Sequence, residues 1–325
     1  MSPDELDRTD PAGAVAATSK RVSNWGRWGP EDVRGTMNFL DEAKRREAAG
    51  LVIDGRAFSL SQRFDMDGPQ RGWRRRTNPV HTMLDTGTDA AMGDQGLPHG
   101  IGGADDVVAM PLQCSTQWDG LGHIFDHGVA WNGRPSGEVV TSAGDLVTGI
   151  ETVADVIAGR AVLLDVGRAI GHEGELPDGF AITQRHLEET IEQQGPSSAV
   201  GRGDIVMVRT GQLSRTRRDG WGEYAGGPAP GLSFTTADWL HQSEIAAIAT
   251  DTWGFEVRPN EFDNAFQPLH QVAIPHIGLF IGEMWDLDAL SGACAADGRY
   301  DCFLTAAPLP ITVAVGSPVN PIAVR

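Results

Sequence analysis

Five side chains that can bind a metal ion or move a proton fall within eleven residues: Gln113, Cys114, Gln117, Asp119 and His123. In an extended segment side chains alternate between two faces, so positions 113, 117 and 119 point the same way. Glycines at 120 and 122 allow a tight turn that returns His123 towards that face. This spacing indicates a metal cage or an acid/base pocket, although a hydrogen-bonded turn at a strand end uses the same residue types.

Apolar runs along the chain predict the elements that position these residues. The run Val107-Val108-Ala109-Met110, just before the polar stretch, predicts a buried strand. Further strands are predicted over residues 57–61, 139–141, 161–166, 205–210, 245–250, 277–282 and 311–315. Residues 76–103 read as a long polar loop. The alternation of strands with helices predicts an α/β layered architecture.

Capping residues predict where two helices begin and end. Asp41 is a suitable N-cap for a short helix, with Gly50 placed to end it. Thr183 begins an amphipathic helix that Gly195 ends. Residues 1–22 are polar and without periodicity, so we expect a flexible N-terminal arm, followed by one domain over residues 23–325.

Composition narrows the classes of partner. The 325 residues include 44 acidic and 26 basic side chains, and the formal charge of −18 repels nucleic acids and anionic lipids. No apolar segment approaches the ~18 residues of a membrane span, and the N-terminus lacks signal-peptide features. We therefore expect a cytoplasmic protein that acts on a small molecule, without nucleic-acid or membrane partners. Three cysteines, Cys114, Cys294 and Cys302, are too few for a disulfide framework and suit reduced thiols.

Several other motifs bear on function. The chain has no Gly-x-Ser-x-Gly elbow, no Cys-x-x-Cys pair and no His-Glu-x-x-His helix. Four tryptophans offer flat walls for an aromatic or polyketide-like substrate: Trp25, Trp28, Trp118 and Trp253. The basic cluster over residues 71–76 could face an anionic substrate, but the composition favours a solvated loop.

The central stretch, the Asp251-Thr252 strand end, and His270 followed by Glu283 resemble the metal-dependent cyclase and hydrolase family that contains bacterial kynurenine formamidase and isatin hydrolase. The family signature is His-x-Gly-Thr-His-x-Asp-x-Pro-x-His, and the matching stretch here is Gln-x-Ser-Thr-Gln-x-Asp-x-Leu-x-His over residues 113–123. The threonine, the aspartate and the last histidine match. Glutamine replaces both ligand histidines. The resemblance implies a single-domain swivelling β/β/α fold with a mixed central sheet, assembled as a homodimer or homotetramer.

The resemblance also implies roles for individual residues. Metal ligands would be Gln113, Gln117, Asp119, His270 and Glu283, and His123 would donate and accept protons, with Asp119 beside it. Amide oxygen is a harder ligand than imidazole nitrogen, so the set favours one Mn²⁺ ion per chain, with Zn²⁺ as the second choice. A metal-free pocket in which Asp119 orients His123 is the alternative.

The function expected from these residues is hydrolysis of a C–N or C–O bond next to a carbonyl, as in a cyclic amide, lactone or formyl amide. A metal-activated water would attack, with His123 as general acid and base. Two alternatives stay open: cyclisation or dehydration of a small metabolite, and small-molecule binding without catalysis.

Overall fold

The computed structural model describes Leu6 and residues 8–325, and its secondary structure is dominated by short strands. The strands are β1 (Ala57–Ser59), β2 (Val80–Asp85), β3 (Asp105–Ala109), β4 (Gln117–Asp119), β5 (Val140–Thr141), β6 (Gly144–Asp145), β7 (Ala158–Asp165), β8 (Ala181–Ile182), β9 (Ile205–Arg209), β10 (Gly231–Leu232), β11 (Ala247–Thr250), β12 (Phe280–Glu283), β13 (Asp301–Thr305), β14 (Gly316–Pro318) and β15 (Ile322–Val324). The α-helices are α1 (Pro11–Arg21), α2 (Glu42–Ala49), α3 (Gly87–Met92), α4 (Ser136–Val139), α5 (Val166–Ile170), α6 (Gln184–Gln194), α7 (Gln212–Asp219), α8 (Ala237–Gln242), α9 (Pro268–Val272) and α10 (Asp288–Asp297). Among the described residues, no helix combines the length and hydrophobicity that a membrane crossing requires.

A mixed sheet forms the centre of the molecule. Within the described residues it has nine strands, in the order β1, β15, β13, β7, β9, β11, β12, β4, β14. The four strands β7, β9, β11 and β12 run parallel, and antiparallel strands flank them on both sides. The prediction of a single-domain α/β fold with a mixed central sheet is confirmed.

Both faces of the parallel strands are covered. Leu163 and Met207 pack into one hydrophobic cluster, whereas their neighbours Leu164 and Val208 pack into a second cluster on the other face. Because each strand is buried on both sides, its sequence reads as a continuous apolar run and not as an alternation. This explains why these strands could be recognised in the sequence.

The predicted helix boundaries are confirmed at two places. The Asp41 side chain accepts a hydrogen bond from the Lys44 backbone nitrogen at 2.9 Å, and α2 ends at Gly50. Helix α6 begins after Thr183 and ends at Gly195, which has a positive φ of 81°.

The N-terminal segment differs from the expected flexible arm. Residues 11–21 form α1, whose N-cap Asp10 accepts a hydrogen bond from the Gly13 backbone nitrogen. Val15 packs into the cluster that also contains α9, and the Arg21 guanidinium pairs with Asp238 at 2.7 Å. Composition indicated disorder because the helix is polar and Ala-rich, but a few buried contacts hold it in place. Residues 1–5 and 7 of the expected arm lie outside the described residues.

The prediction of a buried strand at Val107–Met110 is wrong. Among the described residues, strand β3 pairs only with β2, and the two form a hairpin whose residues are all exposed. Val107 and Val108 are 45% and 49% exposed. An apolar run predicts an extended conformation, but it does not show whether the chain provides a surface to cover it. The hairpin and α3 also replace the long loop expected over residues 76–103.

The strand predicted over residues 311–315 is displaced towards the C-terminus. Strand β14 begins at Gly316, and Val313 has a positive φ of 56°, which is incompatible with an extended strand. Apolar composition alone did not reveal this turn.

Candidate active site

Strand β4 carries the polar stretch and lies between β12 and β14. Gln117 pairs in register with Glu283, and Asp119 pairs with Ile281 on one side and Gly316 on the other. Side chains of directly opposed residues project from the same face of a sheet. The sheet register therefore brings the amide of Gln117 and the carboxylate of Glu283 together.

A cluster of three buried ionisable side chains forms at this point. The Asp119 and Glu283 carboxylates and the His270 imidazole each offer one ligand atom, and these atoms lie within 4.8 Å of one another. The three residues come from β4, β12 and α9, far apart in the sequence. Two carboxylates and an imidazole at this spacing can hold a divalent cation.

The Gln117 side chain joins the two carboxylates. Its Nε2 atom donates to Asp119 Oδ1 at 3.2 Å and to Glu283 Oε2 at 3.0 Å. Its Oε1 atom is buried and has no hydrogen-bond partner. A half-turn of the amide exchanges these two atoms and presents Oε1 to the space between the carboxylates, where a cation would accept it as a ligand. The residues therefore fit an oxygen-rich site for one divalent ion.

Glu256 fixes the orientation of His270. The Nδ1 atom of His270 lies 2.5 Å from Glu256 Oε1, and the backbone nitrogens of Leu269 and His270 also donate to this carboxylate. The other ring nitrogen, Nε2, lies 3.1 Å from Glu283 Oε1. A carboxylate behind the imidazole is the usual support for a histidine that binds a metal ion.

Burial and mutual charge shift the pKa values of this cluster. Burial alone lowers the pKa of His270, but its hydrogen bonds to Glu256 and Glu283 outweigh burial and raise the pKa to about 9. Burial and the charge of Asp119 raise the pKa of Glu283 to about 7, against the opposing effect of His270. In the absence of a cation, the imidazolium of His270 offsets part of the negative charge.

His123 lies next to Asp119 at the end of a tight turn. Its Nε2 atom is 3.7 Å from Asp119 Oδ1, and its backbone nitrogen donates to the Gly120 carbonyl at 3.1 Å. A Cβ at Gly122 would lie 2.1 Å from Asp145 Oδ2, so the turn requires glycine there. Burial lowers the pKa of His123 to about 4, more than Asp119 raises it. The imidazole is therefore neutral near pH 7, the form that a general base must have before it takes up a proton.

The remaining polar residues of the stretch differ in their surroundings. The Gln113 Nε2 atom would lie 2.8 Å from a Cβ placed on Gly316, so the amide is close to this glycine. The Nε2 atom is buried and has no hydrogen-bond partner. Because Gly316 opposes Asp119 in the sheet, Gln113 occupies space on the same face as Asp119. Burial raises the pKa of the Cys114 thiol to about 11, which makes it a poor nucleophile.

A cavity of about 500 Å³ opens beside His123. It is lined by aromatic and polar side chains from three segments: Trp73, Arg74, His123, Ile124, Phe125, Phe266, Gln267 and Gln271. A Cβ on Gly254 would lie 3.5 Å from Gln267 Nε2 in the cavity wall and 3.7 Å from Glu283 Oε1 in the acidic cluster. Gly254 therefore lies beside both, and the cavity wall and the cluster are close together. The volume suits a small aromatic molecule.

The family is shown by comparison with known proteins. Residues 58–257 match the Cyclase family model, described as "Putative cyclase". The chain belongs to the cyclase family. A solved structure described as a novel cyclase is 38% identical to this member, with a TM-score of 0.86, over 94% of this chain and 99% of the other.

More distant structures share the fold of this cyclase-family protein. Isatin hydrolase A from Ralstonia solanacearum is 17% identical over 83% of this chain and 92% of its own, with a TM-score of 0.60. A protein from Bacillus stearothermophilus described as a "predicted metal-dependent hydrolase" is 14% identical over 83% and 98%, with a TM-score of 0.53. Comparison with curated proteins gives no match.

The four tryptophans expected to bind substrate lie elsewhere in this cyclase-family protein. Trp118 is fully buried on the face opposite Gln117, and its ring packs edge-on against Trp285 at 4.9 Å. Trp28 packs against Phe39 and Trp131.

Trp25 and Trp253 also lie outside the cavity lining. The Trp25 indole donates to the Pro275 carbonyl and stacks on His276. Only Trp253 approaches the cavity, with its ring 4.9 Å from that of Trp73 in an edge-on contact. None of the four tryptophans therefore lines the cavity: Trp118 and Trp28 pack into the core, Trp25 lies on the surface, and Trp253 contacts a lining ring.

Sequence analysis missed residues that complete the site. Glu256 supports His270, and Trp73 and Phe266 line the cavity. A signal for Glu256 exists in the sequence, because this charged residue stands between two apolar residues, Phe255 and Val257. No comparable signal exists for Trp73, which precedes three arginines in a mostly exposed loop. Asp251, at the strand end used for the resemblance, accepts hydrogen bonds from the Thr210 and Gly211 backbone nitrogens.

Proposed function

We propose that this protein is a metal-dependent hydrolase of a C–N or C–O bond adjacent to a carbonyl, in a cyclic amide, lactone or formyl amide. The observation that carries the proposal is the convergence of Asp119, His270 and Glu283 beside a neutral His123 at the wall of a small-molecule cavity. A cation site and a proton acceptor in contact with one cavity are the two parts that such hydrolysis needs.

Each side chain has a specific part in the proposal. Asp119, Glu283 and His270 hold the ion, with Gln117 and Gln113 as amide ligands. A divalent ion bound there would polarise the substrate carbonyl and lower the pKa of a water ligand. His123 accepts a proton at Nε2 and returns it to the leaving nitrogen or oxygen. Asp119 steadies the imidazolium that forms, from 3.7 Å.

We further propose Mn²⁺ as the ion, with Zn²⁺ as the second candidate. The site offers two carboxylates and up to two amide oxygens against one imidazole nitrogen. Oxygen-rich sets suit manganese and magnesium, whereas zinc favours nitrogen and sulfur ligands. The fit of the Gln117 amide between the carboxylates supports this choice.

The proposal is tested by elemental analysis and by turnover. We expect about one manganese or zinc ion per purified chain, lost on chelation and restored by reloading. The reloaded protein should open lactones or cyclic amides or cleave formyl amides, and Asp119→Asn should lose both the ion and turnover. A chain that takes up no ion and hydrolyses none of these substrates would contradict the proposal.

The 38% identical relative described as a cyclase favours one alternative, cyclisation or dehydration of a small metabolite at the same site. The product mass separates the reactions, because hydrolysis adds water, dehydration removes it and ring closure by isomerisation leaves the mass unchanged. Tight binding of a small molecule without any turnover would instead indicate a binding protein.

We also propose that the chain forms a homodimer or homotetramer. The β2–β3 hairpin presents apolar side chains to solvent on both strands, including Leu84 and Val108, and the remainder of the described chain does not cover them. Exposed apolar surface of this kind supports an interface. Light scattering of Leu84→Asp and Val108→Asp variants tests this, since charges there should yield monomers.

A further inference from the structure

Arg76 is a buried cation beside the candidate site that has no anionic partner. It is 8% exposed, and its guanidinium carbon lies 5.4 Å from the centre of the Trp253 ring. No side chain in the described part of the chain forms an ion pair or hydrogen bond with this guanidinium. Other buried arginines of the protein are paired: Arg209, for example, contacts Asp165 at 3.0 Å and Asp288 at 2.9 Å.

Further unpaired donors surround the same indole ring. The Arg258 guanidinium carbon lies 5.8 Å from the Trp253 ring and 5.7 Å from the ring of Phe266, which lines the cavity. The Nε and Nη1 atoms of Arg258 are buried and have no acceptor. The Trp253 Nε1 atom is likewise buried without a partner. Hydrogen-bond donors are therefore concentrated here, and the described part of the chain supplies no matching acceptor.

Leaving these groups unpaired is costly. A buried charge or polar group without a partner destabilises the folded state, so proteins normally pair it. The chain has 44 acidic residues, yet none pairs with Arg76 in the part that the structure describes. A ligand from solution that carries a negative charge would satisfy the donors.

The position of Arg76 connects it with the reacting groups. Its charge lowers the pKa of both His123 and Glu283, so it lies within electrostatic range of the cavity wall and of the ion ligands. One simple alternative is that Arg76 only offsets the carboxylates of Asp119 and Glu283. Arg76 forms no ion pair or hydrogen bond with either carboxylate within the described residues, and this alternative leaves the unpaired donors of Arg258 and Trp253 unexplained.

We propose that Arg76 binds a carboxylate of the substrate, and hence that the enzyme acts on flat aromatic molecules that carry a carboxylate near the scissile bond. This inference rests on the proposed function, since it assigns the substrate class of the same site. A guanidinium can donate two parallel hydrogen bonds to a carboxylate, which fixes orientation as well as affinity. Trp253 supports the guanidinium from one side through its ring.

Binding of benzoate and of its neutral analogue benzamide tests this subsite. Affinity is measured by calorimetry on the purified protein, both loaded with Mn²⁺ and after chelation, so that carboxylate binding to the ion is separated from binding to Arg76. We expect the chelated wild-type protein to bind benzoate at least tenfold more tightly than benzamide. Arg76→Met should reduce this preference to less than twofold.

Arg75→Met is the matched control, because Arg75 belongs to the same basic cluster and carries the same charge, but is exposed and does not line the cavity. It should keep most of the preference for benzoate. Equal losses in the two variants would show a general charge effect and overturn the proposal, as would a wild-type protein that does not prefer benzoate. If Arg76→Met does not fold, Arg76→Lys serves, and a loss of several-fold is expected because lysine lacks the planar fork.

The result is separable from that of the proposed function. Benzoate binding to the chelated protein needs neither ion nor turnover, so the subsite can be confirmed in a protein that hydrolyses nothing. Conversely, hydrolysis of neutral lactones with equal binding of benzoate and benzamide would sustain the proposed function and refute the role of Arg76.

Discussion

The Gln117 amide donates a hydrogen bond to the Glu283 carboxylate at 3.0 Å, across the register of β4 and β12. Its second bond, to Asp119, makes one neutral side chain the link between two buried acids. Under the proposed function, we therefore expect the metal preference of the site to depend on this residue.

Replacing Gln117 tests that dependence. Gln117→His should increase the affinity for Zn²⁺ relative to Mn²⁺ by about tenfold or more, since imidazole nitrogen suits zinc better than amide oxygen does. Competition between the two ions, followed by mass spectrometry, measures the ratio. Gln212→His, at a buried glutamine that donates to the Pro228 carbonyl, should leave the ratio unchanged. An unaltered ratio in Gln117→His would exclude residue 117 as a ligand.

His123 is expected to act in turnover and not in ion binding. His123→Ala should lower kcat by about 10² to 10⁴, the usual contribution of a general acid or base, with metal content preserved. His127→Ala is the control, because the His127 side chain is 77% exposed. Full turnover in His123→Ala would remove His123 from the chemistry.

The buried His123 ring should also appear in the pH dependence of stability. Its folded pKa of about 4 lies below the ordinary 6.5, so the unfolded chain takes up this proton first as the pH falls. The contribution of the neutral His123 ring to the free energy of unfolding is complete above pH 6.5. It is lost between pH 6.5 and about 4, at no more than about 1.4 kcal/mol per pH unit. Urea unfolding of the metal-free wild type and His123→Gln should give a flatter profile for the variant, and parallel profiles would show that the ring titrates normally.

Glu256 should matter for ion affinity although it does not touch the ion. Removing the charge behind His270 with Glu256→Gln is expected to weaken metal binding by about 10- to 100-fold, the usual effect of a supporting carboxylate. Glu261→Gln is a suitable comparison, because Glu261 accepts from Phe234 and Ser233 without contacting the site. Equal metal affinity in wild type and Glu256→Gln would mean that His270 needs no support.

Trp118 should affect stability and leave substrate binding unchanged. Trp118→Ala removes a fully buried ring and is expected to lower the free energy of unfolding by about 3 to 5 kcal/mol. Trp25→Ala, at a ring that is 39% exposed, should cost less. Denaturant unfolding measures both. A Trp118 variant of normal stability but weakened benzoate binding would restore the substrate-wall role expected from sequence.

The three cysteines should stay unreactive in the folded protein. All are buried and free, and burial raises the pKa of Cys114 to about 11 and that of Cys294 to about 12. Iodoacetamide at pH 8 should modify none of the three in the native state and all three after denaturation. Rapid native labelling would indicate that the interior opens.

The sequence indicated the parallel strands and much of the ion cluster, for a common physical reason. Strands buried on both faces, such as β7 and β9, require continuous apolar residues, and polar side chains at their ends then stand out. Glu283 stands out in this way at the end of the apolar run of β12, whereas His270 was indicated by the family resemblance, and both converge with Asp119 in the structure.

Other features depend on contacts that a single sequence does not encode locally. Val107 and Val108 have the composition of a core strand, yet β3 meets only β2. Trp118 alternates away from Gln117, so its ring enters the core although both residues belong to one motif. Arg76 looked like part of a solvated basic loop, and only the tertiary fold buries it beside Trp253.

The pairing of β4 with β12 and β14 sets the order in which the site can assemble. During synthesis, β4 precedes both of its neighbours by more than half the length of the described fold, and this three-residue strand has no other partner in the sheet. Contacts between residues so distant in the chain form slowly. Asp119 and Glu283 therefore meet only after the ribosome has added most of the protein. In a nascent chain these two carboxylates are separated, so we expect ion binding to follow completion of the fold.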